Sequence, residues 1–421
     1  MNHTEAQGLT RALAFTFLVF VVGSTFSIAL AQIALGVSLL LFLIVMIRDR
    51  SNPFAGELKN IYWLIGALLA WYIIAAMVGG TPLKSLNTMR EAWLFCVIPI
   101  GAAVMQRPDY QRLLLRCFVL AVLVISIYGI LQYVFGLNWF KSTPLQEAPG
   151  FGFKVRGNFT HRLTFGNYYG TAAAFLLGLG LLPGNNLDRR HRFLILLTAG
   201  LAALATVLTF SRTVAAGMVI VAVLAGLLTR KRAAIALISI VAAVGLAAWL
   251  AIPGLSNRFV GDSTRDLSTD YEGSRLFVWS NTASIISDNP IFGVGPGNFP
   301  EEYAARLRPD IPEYRKLPHA HNDLLDVAAQ TGIPGALLFA ALWLTVLWRQ
   351  FRNFRQGINP TAQRLALAGL LGSLLFLISS ATEATFSDEE VRQLLMFLWA
   401  TGLPIWYKNE TDGLNVIRET S

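Results

Sequence analysis

The chain has 421 residues, 54% of them hydrophobic and 14% charged, whereas soluble globular proteins carry about a quarter charged residues. That composition excludes an ordinary water-soluble enzyme. The net charge of +9 does not point to nucleic acid either, because Lys and Arg punctuate apolar runs instead of forming a basic face.

No charged side chain occurs between Arg11 and Arg48, and further uncharged runs cover 60–83, 117–140, 163–187, 193–211 and 233–257. Each is long enough to cross a bilayer core, which takes about 20 apolar residues. In chain order the runs predict an all-α polytopic membrane protein with about twelve transmembrane helices. They lie near 10–25, 29–47, 61–79, 86–106, 112–136, 163–183, 193–209, 212–229, 233–252, 333–350, 364–381 and 390–407. Ala29-Leu30-Ala31 resembles a signal cleavage site, but the apolar run continues to Ile47, so two retained helices turning at Gly23-Ser24-Thr25 are expected. Cys96 and Cys117 lie in or beside apolar runs and read as small buried residues.

Basic residues fix the expected orientation. With the N-terminus cytoplasmic, alternate loops hold Arg48, Arg50 and Lys59; Arg107, Arg112 and Arg116; Arg189, Arg190 and Arg192; Arg230, Lys231 and Arg232; and Arg349, Arg352, Arg355 and Arg364. With Arg11, Lys408 and Arg418 that side collects 19 of the 34 basic residues and 8 of the 25 acidic ones. The opposite side is near balance, so the positive-inside rule puts both termini in the cytoplasm. The whole chain, 1–421, reads as one integral membrane domain. Its main loop, 253–332 between helices nine and ten, reads as a helical periplasmic cap.

The richest stretch for chemistry is Leu317-Pro318-His319-Ala320-His321-Asn322-Asp323-Leu324-Leu325-Asp326. The period of Leu324, Leu325 and Ala328 sets His321 at or near a helix start, where the helix dipole disfavours imidazolium. A neutral His321 is a candidate general base, with Asn322 or a loop carboxylate setting its tautomer. Capping of a helix at the membrane surface is the plain structural alternative. A zinc site built on His319 and His321 is a third, and it requires His161, Asp323 or Glu383 to be brought close.

Arginines form the second signal. Arg212 in Phe210-Ser211-Arg212-Thr213 is the sole charge in a tight turn between two apolar helices, and either snorkels or faces a phosphate. Arg275, after Gly273-Ser274, opens an amphipathic pattern through Leu276, Val278, Trp279 and Ile285. Lys154 and Arg156 precede Gly157-Asn158-Phe159-Thr160-His161-Arg162. Three such segments can together neutralise one pyrophosphate. The turn Phe292-Gly293-Val294-Gly295-Pro296-Gly297-Asn298-Phe299 either cradles phosphate through its amides or simply turns; it is no Walker motif, and no Asp-x-Asp metal pair occurs. Glu383, at the mouth of the eleventh predicted helix, can orient a base, bind a sugar hydroxyl or merely lie at the surface.

These residues resemble the O-antigen ligase family of bacterial inner-membrane glycosyltransferases. The family signature is His, then Asn, Ser or Gln, nine residues, Gly, two residues and a small residue. Here it reads His321-Asn322, 323–331, Gly332, Ile333-Pro334 and Gly335. Ser211-Arg212, Ser274-Arg275 with Trp279, and the glycine-rich turn are similar to other recurrent family segments, in the same order.

The resemblance implies a GT-C-like membrane fold. It also implies transfer of a glycan from undecaprenyl diphosphate to a lipid A-core sugar at the periplasmic face of the inner membrane, in lipopolysaccharide biosynthesis, with no metal, nucleotide or other cofactor. His321 is then the base, and Arg212 and Arg275 bind the donor, with Arg156, Asn322 and His319 as further substrate-side residues; the partners are the lipid-linked donor, the lipid A-core acceptor and membrane lipids. O-antigen polymerases and protein O-oligosaccharyltransferases share the signature and the chemistry. A transporter or lipid flippase also suits twelve helices, but calls for broken helices or charges near the bilayer midplane, and the conspicuous charges here lie at one face. An envelope scaffold would need no aligned histidine and arginines.

Overall fold

The structure, a computed structural model, describes residues 3–50, 52–54, 56–148, 150–182, 188–229, 274–307, 317–357 and 359–404. Among these, structure is helical, apart from turns and one isolated β-bridge between Glu147 and Phe153. The helices in chain order are α1 (His3–Gly23), α2 (Ile28–Arg48), α3 (Lys59–Val78), α4 (Pro82–Thr88), α5 (Val97–Met105), α6 (Pro108–Phe135) and α7 (Arg162–Leu181). They continue as α8 (Arg189–Val207), α9 (Arg212–Thr229), α10 (Arg275–Asp288), α11 (Phe299–Ala305), α12 (Asp323–Gln356), α13 (Pro360–Ser380) and α14 (Glu389–Gly402).

Eight segments among the described residues are long and apolar enough to cross a membrane: α2, α3, the stretch Pro82–Met105, α6, α8, α9, α12 and α13. Gln7–Gly23 of α1 is a shorter apolar helix. The expected helix at 233–252 lies outside the described residues, as do parts of the expected cap.

Three expected spans differ in detail. The fourth is not one α-helix, because residues Met89–Cys96 between α4 and α5 wind as a 3₁₀ helix, where Glu91 pairs with Arg392 at 3.6 Å. The tenth starts earlier, at Asp323, and is interrupted at Gly332. The twelfth is the 14-residue α14.

α7 is the central helix, buried along nearly its whole length. Its two buried tyrosines are served inside the bundle: Tyr169 donates to Thr25 O at 2.9 Å, and the Tyr168 and Ser24 hydroxyls lie 3.0 Å apart. Where α7 meets α13, a Cβ on Gly178 would sit 2.5 Å from the Ala368 Cα; where α13 meets α14, a Cβ on Gly369 would sit 2.9 Å from the Gly402 Cα. Small residues let the backbones approach, which is how membrane helices gain packing energy without a hydrophobic drive between them.

Connections expected on one side of the membrane meet each other. Asn158 Nδ2 bonds Phe26 O, Thr81 donates to Asn298 Oδ1 at 2.8 Å, Lys84 pairs with Glu301 at 2.6 Å and Val155 N donates to Leu208 O. At the other end Arg349 donates to Leu403 O and Glu57 O, tying the α2–α3 connection to the ends of α12 and α14.

Candidate active site

The start of α12 is written locally. Asn322 is its N-cap: its Oδ1 accepts from Leu325 N at 2.9 Å, as a short polar side chain does for an otherwise unpaired helix amide. Its Nδ2 donates to Ala381 O at 3.0 Å, joining this turn to the connection after α13. His321, one residue earlier, has φ +52°. A left-handed backbone costs energy in a non-glycine residue, and such strain gathers at functional sites. The preceding amide, Ala320 N, is held by Asp326 Oδ1 at 3.0 Å.

Glu383, buried to 8% exposure, joins two of the sequence signals. Its Oε2 lies 3.0 Å from His321 Nδ1, and its Oε1 accepts from Arg275 Nη2 at 2.8 Å. Arg275 Nε also donates to Thr382 O at 2.9 Å. Thr382 in turn donates through its hydroxyl to Thr213 Oγ1 at 2.8 Å, so the turn bearing Arg212 borders the same cluster. The alternative left open for the histidine's partner is thereby resolved: the loop carboxylate holds the ring, and Asn322 holds the helix.

Electrostatics favour one tautomer. Burial pushes the Glu383 carboxyl up, but the hydrogen bond from His321 and the charge of Arg275 outweigh it and hold it below its ordinary value. An ionised Glu383 only accepts, so Nδ1 of His321 carries the hydrogen of this contact, and in the neutral ring the free lone pair is on Nε2. His319 stacks edge-on at 4.6 Å between ring centroids and accepts from His321 N at 3.4 Å. Burial first, then the neighbouring His321, push His319 down to about 4, so it stays neutral at pH 7. Among the described residues no group of three His, Cys, Asp or Glu is placed to hold a metal ion.

Arg212 is the first residue of α9 and follows Phe210, whose φ is +58°. The strained turn is held by Arg162, which donates to Thr209 O at 2.8 Å and Phe210 O at 3.4 Å. Arg156 reaches the same neighbourhood through the backbone of Val155, but its guanidinium donates to Thr143 Oγ1 (2.8 Å), Thr143 O (2.5 Å) and Asn138 Oδ1 (3.3 Å). These bonds fix the loop 138–143. His161 is exposed at the N-terminus of α7.

The glycine-rich turn turns and does not present its amides to a ligand. Gly332 (φ 74°, ψ −179°) and Pro334 interrupt the ladder of α12, leaving the carbonyls of Ala329, Gln330 and Thr331 without helical partners. Val294 N (2.9 Å), Gly295 N (3.0 Å) and Trp71 Nε1 (2.8 Å) donate to them in turn. Gly297 N donates to Gln330 Oε1, and Ile333 N to Pro290 O, both at 2.8 Å. A Cβ on Gly332 would lie 2.1 Å from Ile291 O, and one on Gly335 3.0 Å from Trp71 Cδ1. The signature glycines therefore serve this backbone-to-backbone junction, and the signature His and Asn serve the cluster beside it.

Helices able to span a membrane, with a histidine–carboxylate–arginine cluster at the connections of one end, mark a polytopic membrane protein with a buried polar cluster at that end. Residues 197–340 match the family model described as O-antigen ligase, a segment that includes Arg212, Arg275, His319, His321, Asn322 and the Gly332 junction. That match supports an O-antigen ligase family assignment, a family of glycosyltransferase-type enzymes of the ligase and polymerase superfamily. No curated protein matches the chain. Glu383 and Thr382 lie beyond the matched segment. The sequence leaves Glu383 with several readings and carries no local signal for Asp326, Thr213 or Arg162.

Proposed function

We propose that the protein is an O-antigen ligase that moves a glycan from undecaprenyl diphosphate to a sugar hydroxyl of lipid A-core. The observation that carries this reading is the 3.0 Å contact between His321 Nδ1 and Glu383 Oε2, which leaves Nε2 to take a proton. In the reaction Nε2 removes the acceptor hydroxyl proton, the oxygen attacks the anomeric carbon, and the bond to undecaprenyl diphosphate breaks with inversion. Glu383 stabilises the imidazolium that forms. Diphosphate is a good leaving group, so no second carboxyl acid is called for, unlike hydrolysis of an ordinary glycoside. Arg275 and Arg212 supply positive charge for the leaving oxygen; loss of one such preorganised donor costs about 10²-fold or more in rate. Arg156 acts one step back, by shaping the loop 138–143.

The eight spans, together with α1, α7, α14 and the apolar run 233–252, make the proposed twelve. The cluster lies at the end opposite Arg48, Arg349 and the other basic connections. The positive-inside rule then sets it on the periplasmic face of the inner membrane, with 253–332 as its cap and both termini cytoplasmic.

The test combines purified protein, undecaprenyl-diphosphate-linked glycan and lipid A-core in chelator, read by gel and mass. Glycan joined to the core is expected, together with at least a hundredfold loss in His321→Ala. Glycan lengthened on its own lipid would make the protein a polymerase. Full transfer by folded His321→Ala would remove the base assignment, and an intact donor with folded protein would return the transporter reading.

A further inference from the structure

The first turn of α12 carries two buried carboxylates, Asp323 and Asp326, at 4% and 7% exposure. Buried carboxylates need hydrogen-bond partners to offset their desolvation, and the direction of these bonds is informative. The helix end does not require them, because Asn322 already caps it at Leu325 N. Both oxygens of Asp323 instead accept from Phe386 N, at 3.0 and 3.2 Å. Asp326 accepts from Ala320 N at 3.0 Å and from Gln330 Nε2 at 2.5 Å. Together with the Asn322 bond to Ala381 O, one helical turn grips the chain on both sides of Glu383 and immediately before His321.

We propose that Asp323 and Asp326 are positioning residues that set the spacing and angle of the His321–Glu383 contact. This deepens the reading of His321 as the base and rests on it. Asp323 fixes the carboxylate's loop, whose opposite side is held by Arg392, donating to Phe386 O at 2.6 Å and lying 4.8 Å over the Phe386 ring. Asp326 fixes the residue ahead of the left-handed His321, whose φ of +52° would relax if Ala320 were released. Because both carboxylates sit on one rigid helix, the two halves of the dyad share a template despite lying 62 residues apart in the chain.

The experiment measures single-turnover transfer by the full-length protein, with undecaprenyl-diphosphate-linked glycan and lipid A-core, for Asp323→Ala and Asp326→Ala, each in the native background and with Glu383→Gln. A residue acting through Glu383 shows non-additive losses in such a cycle; a residue that only supports the fold does not. Expected is a loss of about tenfold or more in kcat with donor KM unchanged in the native background, and less than about threefold further loss beside Glu383→Gln. Asp323→Asn and Asp326→Asn, which keep one acceptor oxygen, recover part of the rate. They also carry the comparison if the alanine variants do not accumulate as monodisperse protein. Equal fold-losses in both backgrounds, or single variants at native rate, would overturn the proposal while leaving native transfer and the His321→Ala defect in place. Absence of native transfer, or full activity of His321→Ala, would sink the base reading and this proposal with it.

Discussion

Replacing Glu383 with Gln changes one atom type, yet the geometry predicts a large loss. Glu383 serves two hydrogen-bond donors at once, Arg275 Nη2 at 2.8 Å on one oxygen and His321 Nδ1 at 3.0 Å on the other. An amide has one oxygen and one NH₂ group. Arg275 offers only donors, so it takes the amide oxygen and turns the NH₂ towards the imidazole. The imidazole must then accept at Nδ1, which puts its hydrogen on Nε2, the nitrogen required to take the acceptor proton. The wrong tautomer removes general-base assistance, which contributes about 10²–10⁴-fold. The imidazolium also loses its counter-charge. Glu383→Gln is therefore expected to lower kcat about 10²–10⁴-fold with little change in donor KM, because no donor contact is removed. Single-turnover transfer in detergent, with the melting temperature confirming the fold, is the measurement. A Glu383→Gln protein within threefold of native rate would refute both the tautomer argument and the role of Glu383.

Other substitutions probe separate parts of the arrangement. Arg275→Lys keeps a charge but cannot fork to Thr382 O and Glu383 Oε1 together; it should lose at least about tenfold in transfer rate, and native activity would mean that charge alone suffices. Gly332→Ala places a Cβ 2.1 Å from Ile291 O at φ +74°, so backbone strain of about 1–3 kcal/mol adds to displaced hydrogen bonds worth about 1 kcal/mol each. Detergent melting should show a drop of several degrees or failure to accumulate, whereas Gly66→Ala, with nothing within 4 Å, should melt near the native temperature. Burial first, with Glu390 and Glu383 adding, pushes the Asp388 carboxyl up to about 7 from an ordinary 3.8. The folded protein thus holds a proton that the unfolded chain has released between those values. This group's stabilising contribution is full below about 4 and lost as pH rises through about 7. Asp388→Asn should raise the melting temperature at pH 8 and flatten its fall between pH 5 and 8; an unchanged pH slope would count against that assignment.

Much of the helical plan was legible in the sequence because water sets it locally. The run between Arg11 and Arg48 has no charge to keep it out of a bilayer, and those two arginines mark its limits. The caps themselves came from the structure: Asn322 and Ser274 accept from Leu325 N and Phe277 N at the starts of α12 and α10. The placement of His321 just before a helix start was legible from the period of Leu324, Leu325 and Ala328. Uncharged runs could not show that Met89–Cys96 winds as a 3₁₀ helix, because pairing of Glu91 with an arginine about 300 residues away is not a local property.

The site divided along the same line. His321, Arg212 and Arg275 were visible as polar groups at costly positions, but the partner of each depends on how α9, α10, α12 and α13 pack. Glu383 looked like a surface carboxylate until packing set it between an arginine and a histidine. Arg156 looked like a phosphate ligand, and the fold gives its donors to the loop 138–143. The glycine-rich turn looked able to hold phosphate, and the interruption of α12 consumes its amides. Sequence alone thus marked the segments that leave water, since the apolar character of a run is a local property. Only the tertiary structure decided which donor meets which acceptor, because a hydrogen bond is satisfied by whatever group the packed helices bring within about 3 Å.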